Sequence, residues 1–138
     1  MSLHPSLQCR LVNDGPRILV ADGDESRREW VSAELGALGC ICVEADDGRR
    51  VVDLATRGRI DLLVVHLDLP LLDGAGLTQA LAALPAPPRL VVHSDRPFDL
   101  AWHKGLLHGA TCFFHTHDSS QLVAAVAGLL RLDASAIC

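Results

Sequence analysis

The sequence lacks the features that would place the chain in a membrane or send it out of the cell. No apolar run approaches the roughly 18 to 20 residues that a membrane-spanning helix needs. The chain does not open with a positively charged segment followed by an apolar one, which is the usual form of an export signal. We therefore expect a cytoplasmic protein that does not contact a membrane.

Basic charge and aromatic side chains are also scarce. The net charge is -5, the isoelectric point is near 5.7, and the basic residues are dispersed along the chain. Domains that bind nucleic acids usually carry a basic patch, so we expect no nucleic acid to bind this domain. Tyrosine is absent and aromatics make up only 4% of the residues, but hydrophobic residues make up 49%. That fraction is enough for the core of one domain of 138 residues.

None of the five cysteines stands in a C-x-x-C pair. Cys40 and Cys42 alternate along a predicted strand, so both face the same side of it. We expect these two and Cys112 to be buried, reduced thiols. Cys9 and Cys138 lie in predicted tails, where a thiol is open to reaction.

Apolar strands and amphipathic helices alternate along the chain, which predicts a parallel sheet with helices on both faces. The expected fold is a doubly wound, flavodoxin-like sheet with strand order 2-1-3-4-5. The predicted strands are residues 17–21, 40–44, 61–66, 89–93 and 111–115. Asp24 and either Asp46 or Asp47 open the first two helices, and the later helices are residues 74–84, 97–108 and 119–132. Residues 1–16 are a weakly ordered leader, 17–132 the domain and 133–138 a tail.

In such a sheet, ligands bind at the carboxyl ends of the strands. The residues that follow strands one, three, four and five should therefore meet in one cleft. These are Asp22, Gly23, Asp24, His66, Asp68, Ser94 and Thr116.

Two segments at this edge, ILVADGD at 18–24 and DLLVVHLDLPLLDG at 61–74, carry a family resemblance. They resemble the receiver domain of two-component response regulators, and the likeness extends over roughly residues 16–132. In that family the residue at position 66 is the aspartate that accepts a phosphoryl group, and here it is His66. The family also has two adjacent acids that hold Mg²⁺, where this chain has Asp22 and then Gly23. Asp68 falls where the family uses a backbone carbonyl as a metal ligand.

The resemblance gives roles to the later strands as well. Ser94 matches the hydroxyl that contacts the phosphoryl group, and Phe113 matches an aromatic switch residue. Thr116 stands where the family has a lysine, and His117 stands where it has a proline. An acyl phosphate needs a carboxylate nucleophile beside a divalent cation. Compared with the family, this chain has lost the acceptor aspartate, one of the two metal acids and the lysine.

These losses favour an atypical receiver that signals without aspartyl phosphorylation, is not an enzyme and uses no cofactor or metal. It would act through a protein partner or as a homodimer. The surface expected for this contact comprises the fourth predicted helix, which carries Trp102, the fifth strand and the fifth helix. Ser94 and Phe113 would couple two states, and a small-molecule ligand could occupy the degenerate pocket.

Other interpretations stay open. An active receiver could use Asp68 as a displaced acceptor and bind Mg²⁺. The domain could also be the receiver of a longer transcriptional regulator, because residues 132–138 are typical of the start of a linker. An unrelated flavodoxin-like enzyme or cofactor binder is disfavoured, since the acidic stretch from Asp22 to Glu25 would repel a phosphate rather than cradle it.

His66 itself admits two hypotheses. A nearby Asp22 would raise the histidine pKa and burial would lower it. One hypothesis is that contact between Asp22 and His66 replaces the electrostatics of Mg²⁺ and phosphate and holds one conformation. The other is a soft-metal site formed by His66 and Asp22 with His115 or His117.

Overall fold

Five parallel strands form one sheet in the order β2-β1-β3-β4-β5, which confirms the predicted flavodoxin-like topology. The computed structural model describes residues 15–95, 112–115 and 118–137, with the backbone alone for Cys112, Phe113 and residues 132–137. The strands are β1 Arg17–Ala21, β2 Ile41–Ala45, β3 Leu62–His66, β4 Arg89–Ser94 and β5 Cys112–His115. The helices are α1 Glu25–Ala37, α2 Gly48–Arg57, α3 Gly74–Ala82 and α4 Ser119–Ile137.

An aspartate caps each of the first three helices. The side chains of Asp24, Asp47 and Asp73 accept a hydrogen bond from the backbone N–H three residues later, which satisfies one of the unpaired donors at the helix start. Asp24 therefore opens α1 as predicted, and Asp47 rather than Asp46 opens α2. Gly39 follows the end of α1 with φ of 97°, a left-handed conformation that glycine adopts without strain.

Side chains alternate between two cores, one on each face of the sheet. The core on the α1/α4 face contains Ile18, Val20, Leu62 and Val64 from the strands. The residues between them face α2 and α3. By the same alternation, Asp22 and His66 continue the rows of the α1/α4 face, so both reach the carboxyl edge of the sheet on that side.

The structure corrects several predicted boundaries. β2 begins at Ile41, because the N–H of Cys40 is bonded to the Leu35 carbonyl at the end of α1. α3 ends at Ala82 instead of residue 84, and the N–H of Leu84 turns back to Leu81. α4 runs to Ile137 instead of 132, because no proline or glycine interrupts residues 132–137. Residues 1–14 and the predicted helix at 97–108 lie outside the described residues.

Cys40 and Cys42 are free thiols that pack beside the α1/α4 core. They are half-buried instead of fully buried, because Cys42 lies in the edge strand β2 and Cys40 directly precedes it. Burial raises the pKa of Cys42 to about 11, so this thiol stays protonated at neutral pH. Cys9, Cys112 and Cys138 carry no described side chain.

Candidate functional site

The last residue of β3 stands beside a second histidine. Register pairs His66 with His93 of β4, and the two imidazole rings meet edge to face, with 5.0 Å between their centres and 77° between their planes. Both side chains are buried, with 7% of His66 and 4% of His93 exposed. The site predicted around one histidine therefore contains a buried pair.

Backbone hydrogen bonds fix the His66 ring. Its Nδ1 accepts a hydrogen bond of 3.1 Å from the N–H of Asp68. Because Nδ1 is the acceptor, the neutral ring carries its proton on Nε2. The carbonyl of His66 also accepts from the N–H of Leu69, and the carbonyl of His93 accepts from the N–H of Leu67. The turn after β3 thus holds one tautomer and one ring orientation.

Both histidines favour the neutral form. Burial lowers the pKa of His66, the Arg27 guanidinium lowers it further, and Asp22 and other carboxylates oppose these effects without overcoming them. Burial lowers the pKa of His93 to about 3, with His66 adding to the effect. Burial therefore outweighs the charge of Asp22 in determining the pKa of His66.

Asp22 is bound by an arginine instead of by His66. Arg27 Nε lies 2.5 Å from Asp22 Oδ2 and Arg27 Nη2 lies 2.8 Å from Oδ1, so the contact is bidentate. The N–H of Asp24 also donates to Oδ1. The Asp22 side chain is only 2% exposed, against 33% for Arg27. The predicted contact between Asp22 and His66 is therefore replaced by an ion pair to Arg27.

Sequence reasoning missed Arg27, although a signal was present. Arg27 lies in the first turn of α1, where the positive end of the helix dipole disfavours a cation. A nearby acid offsets this unfavourable interaction, and Asp22 is the acid whose carboxylate Arg27 binds. The same ion pair raises the pKa of Arg27, so the guanidinium stays charged.

A second arginine fixes the backbone of the same loop. Arg28 Nη1 donates to the backbone carbonyl of Asp22 at 2.9 Å, and Arg28 Nε lies 3.0 Å from Glu44 Oε1. The N–H of Asp22 donates to the carbonyl of Ala45 in β2. These contacts tie the segment after β1 to both α1 and β2.

Gly23 is held against the loop that follows β3. A Cβ atom built on Gly23 would lie 2.8 Å from Pro70 Cδ, closer than real Cβ contacts come. The neighbouring acid, Asp24, serves as the cap of α1, and the N–H of Arg27 lowers its pKa. Position 23 therefore supplies no carboxylate, and the packing around it leaves little space for one.

Two adjoining spaces make up the cleft, and Arg27, His66 and Asp95 line both of them. The inner space, of about 60 Å³, also borders His93 and the start of α4. The outer space, of about 420 Å³, is open to solvent and is also lined by Asp22, Gly23, Asp24, Asp68 and Pro70.

The structure brings some of the predicted residues together and not others. Ser94 is buried one position past His93, so its side chain leaves the sheet on the opposite face, and among the described residues it lines neither space. His93 is the residue beside His66 that sequence reasoning missed. The side chain of Phe113, together with Thr116, His117 and Trp102, lies outside the described residues.

The described part of the chain has neither an assembled metal site nor a membrane-spanning helix. There, no group of three or more His, Cys, Asp or Glu side chains is arranged to hold a metal ion. The soft-metal set of His66, Asp22 and His115 is thus not assembled, and His115 Nε2 lies 3.0 Å from the carbonyl of Asp95. No described helix combines the length and the apolar character needed to cross a membrane.

Comparison with known sequences gives one family. The sequence profile of the response regulator receiver domain matches residues 18–127. The sensor histidine kinase RcsC of Escherichia coli K12 is 33% identical over 72 residues, which is 52% of this chain and 8% of that protein. The transcriptional regulatory protein PrrA of Mycobacterium tuberculosis is 32% identical over 117 residues, or 84% of this chain and 50% of that protein. The chain thus spans half or less of these relatives.

Comparison with solved structures gives the same fold. The chemotaxis response regulator CheY4 of Vibrio cholerae matches with a TM-score of 0.72 at 19% identity, over 84% of this chain and 98% of that one. The receiver domain of the sensor histidine kinase PA1611 of Pseudomonas aeruginosa matches with a TM-score of 0.72 at 21% identity, over 85% and 95%. That domain was solved with a magnesium ion coordinated in its active-site cleft.

Proposed function

Because the chain belongs to the response regulator receiver domain family, we propose that it is an atypical receiver that signals without aspartyl phosphorylation. Receiver domains are modules of two-component signalling, and they contact kinases and other proteins of a phosphorelay. In this proposal the protein contacts are kept and the phosphoryl chemistry is lost. The domain acts as a binding module and not as an enzyme.

The observation that carries the proposal is the environment of His66 at the end of β3. A receiver aspartate presents two carboxylate oxygens to a phosphoryl donor, whereas His66 is 93% buried with Nδ1 engaged by the Asp68 N–H. The ring also packs edge to face with that of His93. No carboxylate nucleophile stands at the position where the acyl phosphate would form.

A second candidate keeps the phosphoryl chemistry and moves the acceptor to Asp68. Its side chain is exposed at the rim of the outer space, so a donor could reach it. An acceptor there needs a divalent cation beside it, and the acid nearest the cation position, Asp22, is already bound by Arg27. For this reason we favour the phosphorylation-independent receiver.

Output through protein contact, to a partner or a second copy, is part of the proposal. The surface proposed for it comprises the segment with Trp102, β5 and α4. In the described sheet β5 is the outermost strand beside β4, so this surface lies at one edge of the sheet. The outer space of the cleft, lined by Asp22, Gly23, His66 and Asp68, is proposed as a place for a small ligand. We further propose a cytoplasmic domain that does not bind nucleic acid.

The printed names of the relatives suggest two settings for such a domain. RcsC is a sensor histidine kinase and PrrA a transcriptional regulatory protein, and both are longer than the matched region. We propose that this domain serves within, or together with, a protein of one of these two kinds. An output domain would then determine the response that the receiver contact controls.

Backbone amide NMR with Mg²⁺ and beryllofluoride tests the proposal. Beryllofluoride mimics an acyl phosphate on a carboxylate that stands beside a bound metal. We expect no saturable shifts at Asp22, Asp68 or Ser94, and no added phosphoryl mass after incubation with acetyl phosphate. Saturable shifts that reach Phe113 and vanish in Asp68→Asn would replace the proposal with a working switch that uses a displaced acceptor.

A further inference from the structure

The ion pair between Arg27 and Asp22 has a consequence for metal binding. Asp22 is the one matching residue of the two metal acids that the family carries, and both of its carboxylate oxygens are bonded by the guanidinium. Building on the function proposed above, we propose that Arg27 takes the place of the divalent cation on Asp22. The cleft then carries its positive charge permanently and has no need of Mg²⁺.

The residues present do not fit Mg²⁺. This ion requires near-octahedral coordination by oxygen atoms. Position 23 supplies no carboxylate and is packed against Pro70, and the end of β3 presents an imidazole in place of an oxygen. Asp22, the remaining acid, is occupied on both oxygens by Arg27.

Burial explains why Asp22 needs a built-in partner. Its side chain is 2% exposed, and a buried carboxylate without a partner is strongly unfavourable. In the described part of the chain, Arg27 is the cation that reaches this carboxylate, while Arg28 reaches the backbone oxygen of the same residue. The guanidinium therefore satisfies an acid that a metal would otherwise neutralise.

Geometry also makes Arg27 a barrier to a cation. A metal ion could bind Asp22 only after two charge-assisted hydrogen bonds had broken. The guanidinium lines both spaces of the cleft, so a cation that entered from solvent would meet its positive charge. Exchange of Arg27 for a metal would also leave the arginine without its partner in the first turn of α1, where the helix dipole opposes it.

Mn²⁺ binding to three variants tests the inference, with the electron paramagnetic resonance signal of free Mn²⁺ as the readout. His66→Asp restores an oxygen ligand at the end of β3 and is the common background. To it we add either Arg27→Met, which frees the carboxylate, or Arg50→Met. The latter is the matched control, since Arg50 holds the same position after the capping aspartate of α2 as Arg27 does in α1, and its side chain is exposed.

We expect the variant with both His66→Asp and Arg27→Met to bind Mn²⁺ at least about tenfold more tightly than His66→Asp alone, a factor equivalent to roughly 1.4 kcal/mol. Arg50→Met on the same background should leave Mn²⁺ binding near that of His66→Asp. Equal affinity of all three variants, or an equal gain from either arginine change, would overturn the inference.

A second measurement uses the unchanged protein and so does not depend on the folding of a variant. In ¹⁵N spectra of arginine side chains, the Nε–H of Arg27 should be protected from exchange, and addition of MgCl₂ should leave its resonance in place. A saturable shift or a loss of protection with MgCl₂, but not with matched NaCl, would contradict the inference. This readout is separate from the beryllofluoride test, because phosphorylation at Asp68 would refute the proposed function while the Arg27 resonance reports on Asp22 alone.

Discussion

His66 and His93 lie side by side at the ends of two neighbouring strands, with ring centres 5.0 Å apart and almost no exposed surface. Two adjacent imidazoles in one apolar layer cannot both take up a proton without a large cost, because each would bury a like charge beside the other. The pair therefore couples the protonation of the site to the stability of the whole sheet.

The first prediction concerns the pH dependence of stability. In the folded protein the pKa of His93 is lowered to about 3 and that of His66 is lowered from its ordinary 6.5. At a pH between the folded-state pKa of each histidine and 6.5, the unfolded chain binds more protons than the folded protein. The stability that the two neutral histidines contribute is therefore fully present above about pH 6.5 and is lost as the pH drops. Urea unfolding at pH 7.5, 6.0 and 5.0 should show a loss approaching about 1.4 kcal/mol per pH unit from His93, with a loss in the same direction from His66.

His93→Phe provides the matched comparison for that prediction, since it keeps an aromatic ring of similar size and removes the titrating group. Its free energy of unfolding should depend less steeply on pH between 5.0 and 6.5 than that of the unchanged protein. If the two proteins lose stability in parallel over this range, His93 is not the source of the acid sensitivity.

The sequence could predict the site residues that follow a recognisable apolar strand, but not those whose position depends on strand register or on helix packing. Asp22 and His66 could be placed because each follows an apolar run whose end lies at the carboxyl edge of a parallel sheet. His93 could not be placed in this way. A shift of one residue in strand register decides whether His93 or Ser94 lies beside His66, and the sequence does not fix that register. Arg27 belongs to a helix, and which helical side chain turns toward the sheet edge is decided by packing, not by spacing alone.

The fold was easier to predict than the site for a related reason. β3 is buried along its whole length, and a continuous apolar strand of this kind is typical of a parallel sheet covered on both faces. Asp24 and Asp73 mark helix starts because their caps are local interactions within four residues. The predicted end of α4 was too early, because none of the helix's last residues is of a type that ends a helix and the helix therefore continues.

The second prediction concerns the stability of the buried ion pair. Arg27→Met leaves the Asp22 carboxylate buried without its partner, and we expect a loss of about 3 kcal/mol, the low end for a broken buried pair because Arg27 is one-third exposed. Asp22→Asn combined with Arg27→Met should recover part of this loss, since the uncompensated charge is gone. Urea unfolding of the two single variants and the double variant measures the coupling. Additive losses would mean that the two side chains do not stabilise each other.

The third prediction concerns the acid that is missing at position 23. Gly23→Asp should destabilise the protein by roughly 1–3 kcal/mol, because any Cβ there meets Pro70 Cδ at 2.8 Å. Pro70→Ala should remove most of this penalty when the two changes are combined, which thermal unfolding followed by circular dichroism would show. An unchanged melting temperature in Gly23→Asp alone would mean that Pro70 moves aside freely, and that packing does not explain the missing acid.

The last prediction concerns how the loop after β3 is held in place. Leu71, in this loop, has φ of 57°, and its carbonyl oxygen would lie 2.3 Å from a Cβ atom built on Gly48 at the start of α2. The N–H of Gly48 also donates to the Pro70 carbonyl at 2.8 Å, so loop and helix are in direct backbone contact. Gly48→Ala should destabilise the protein by roughly 1–3 kcal/mol and shift the amide resonances of the loop, including Asp68. Gly36→Ala is the control, because its Cβ meets nothing within 4 Å in the helix α1, and it should stabilise by about 0.5–1 kcal/mol. If Gly48→Ala were neutral or stabilising, like Gly36→Ala, the close contact between Gly48 and the loop would not hold the loop in place.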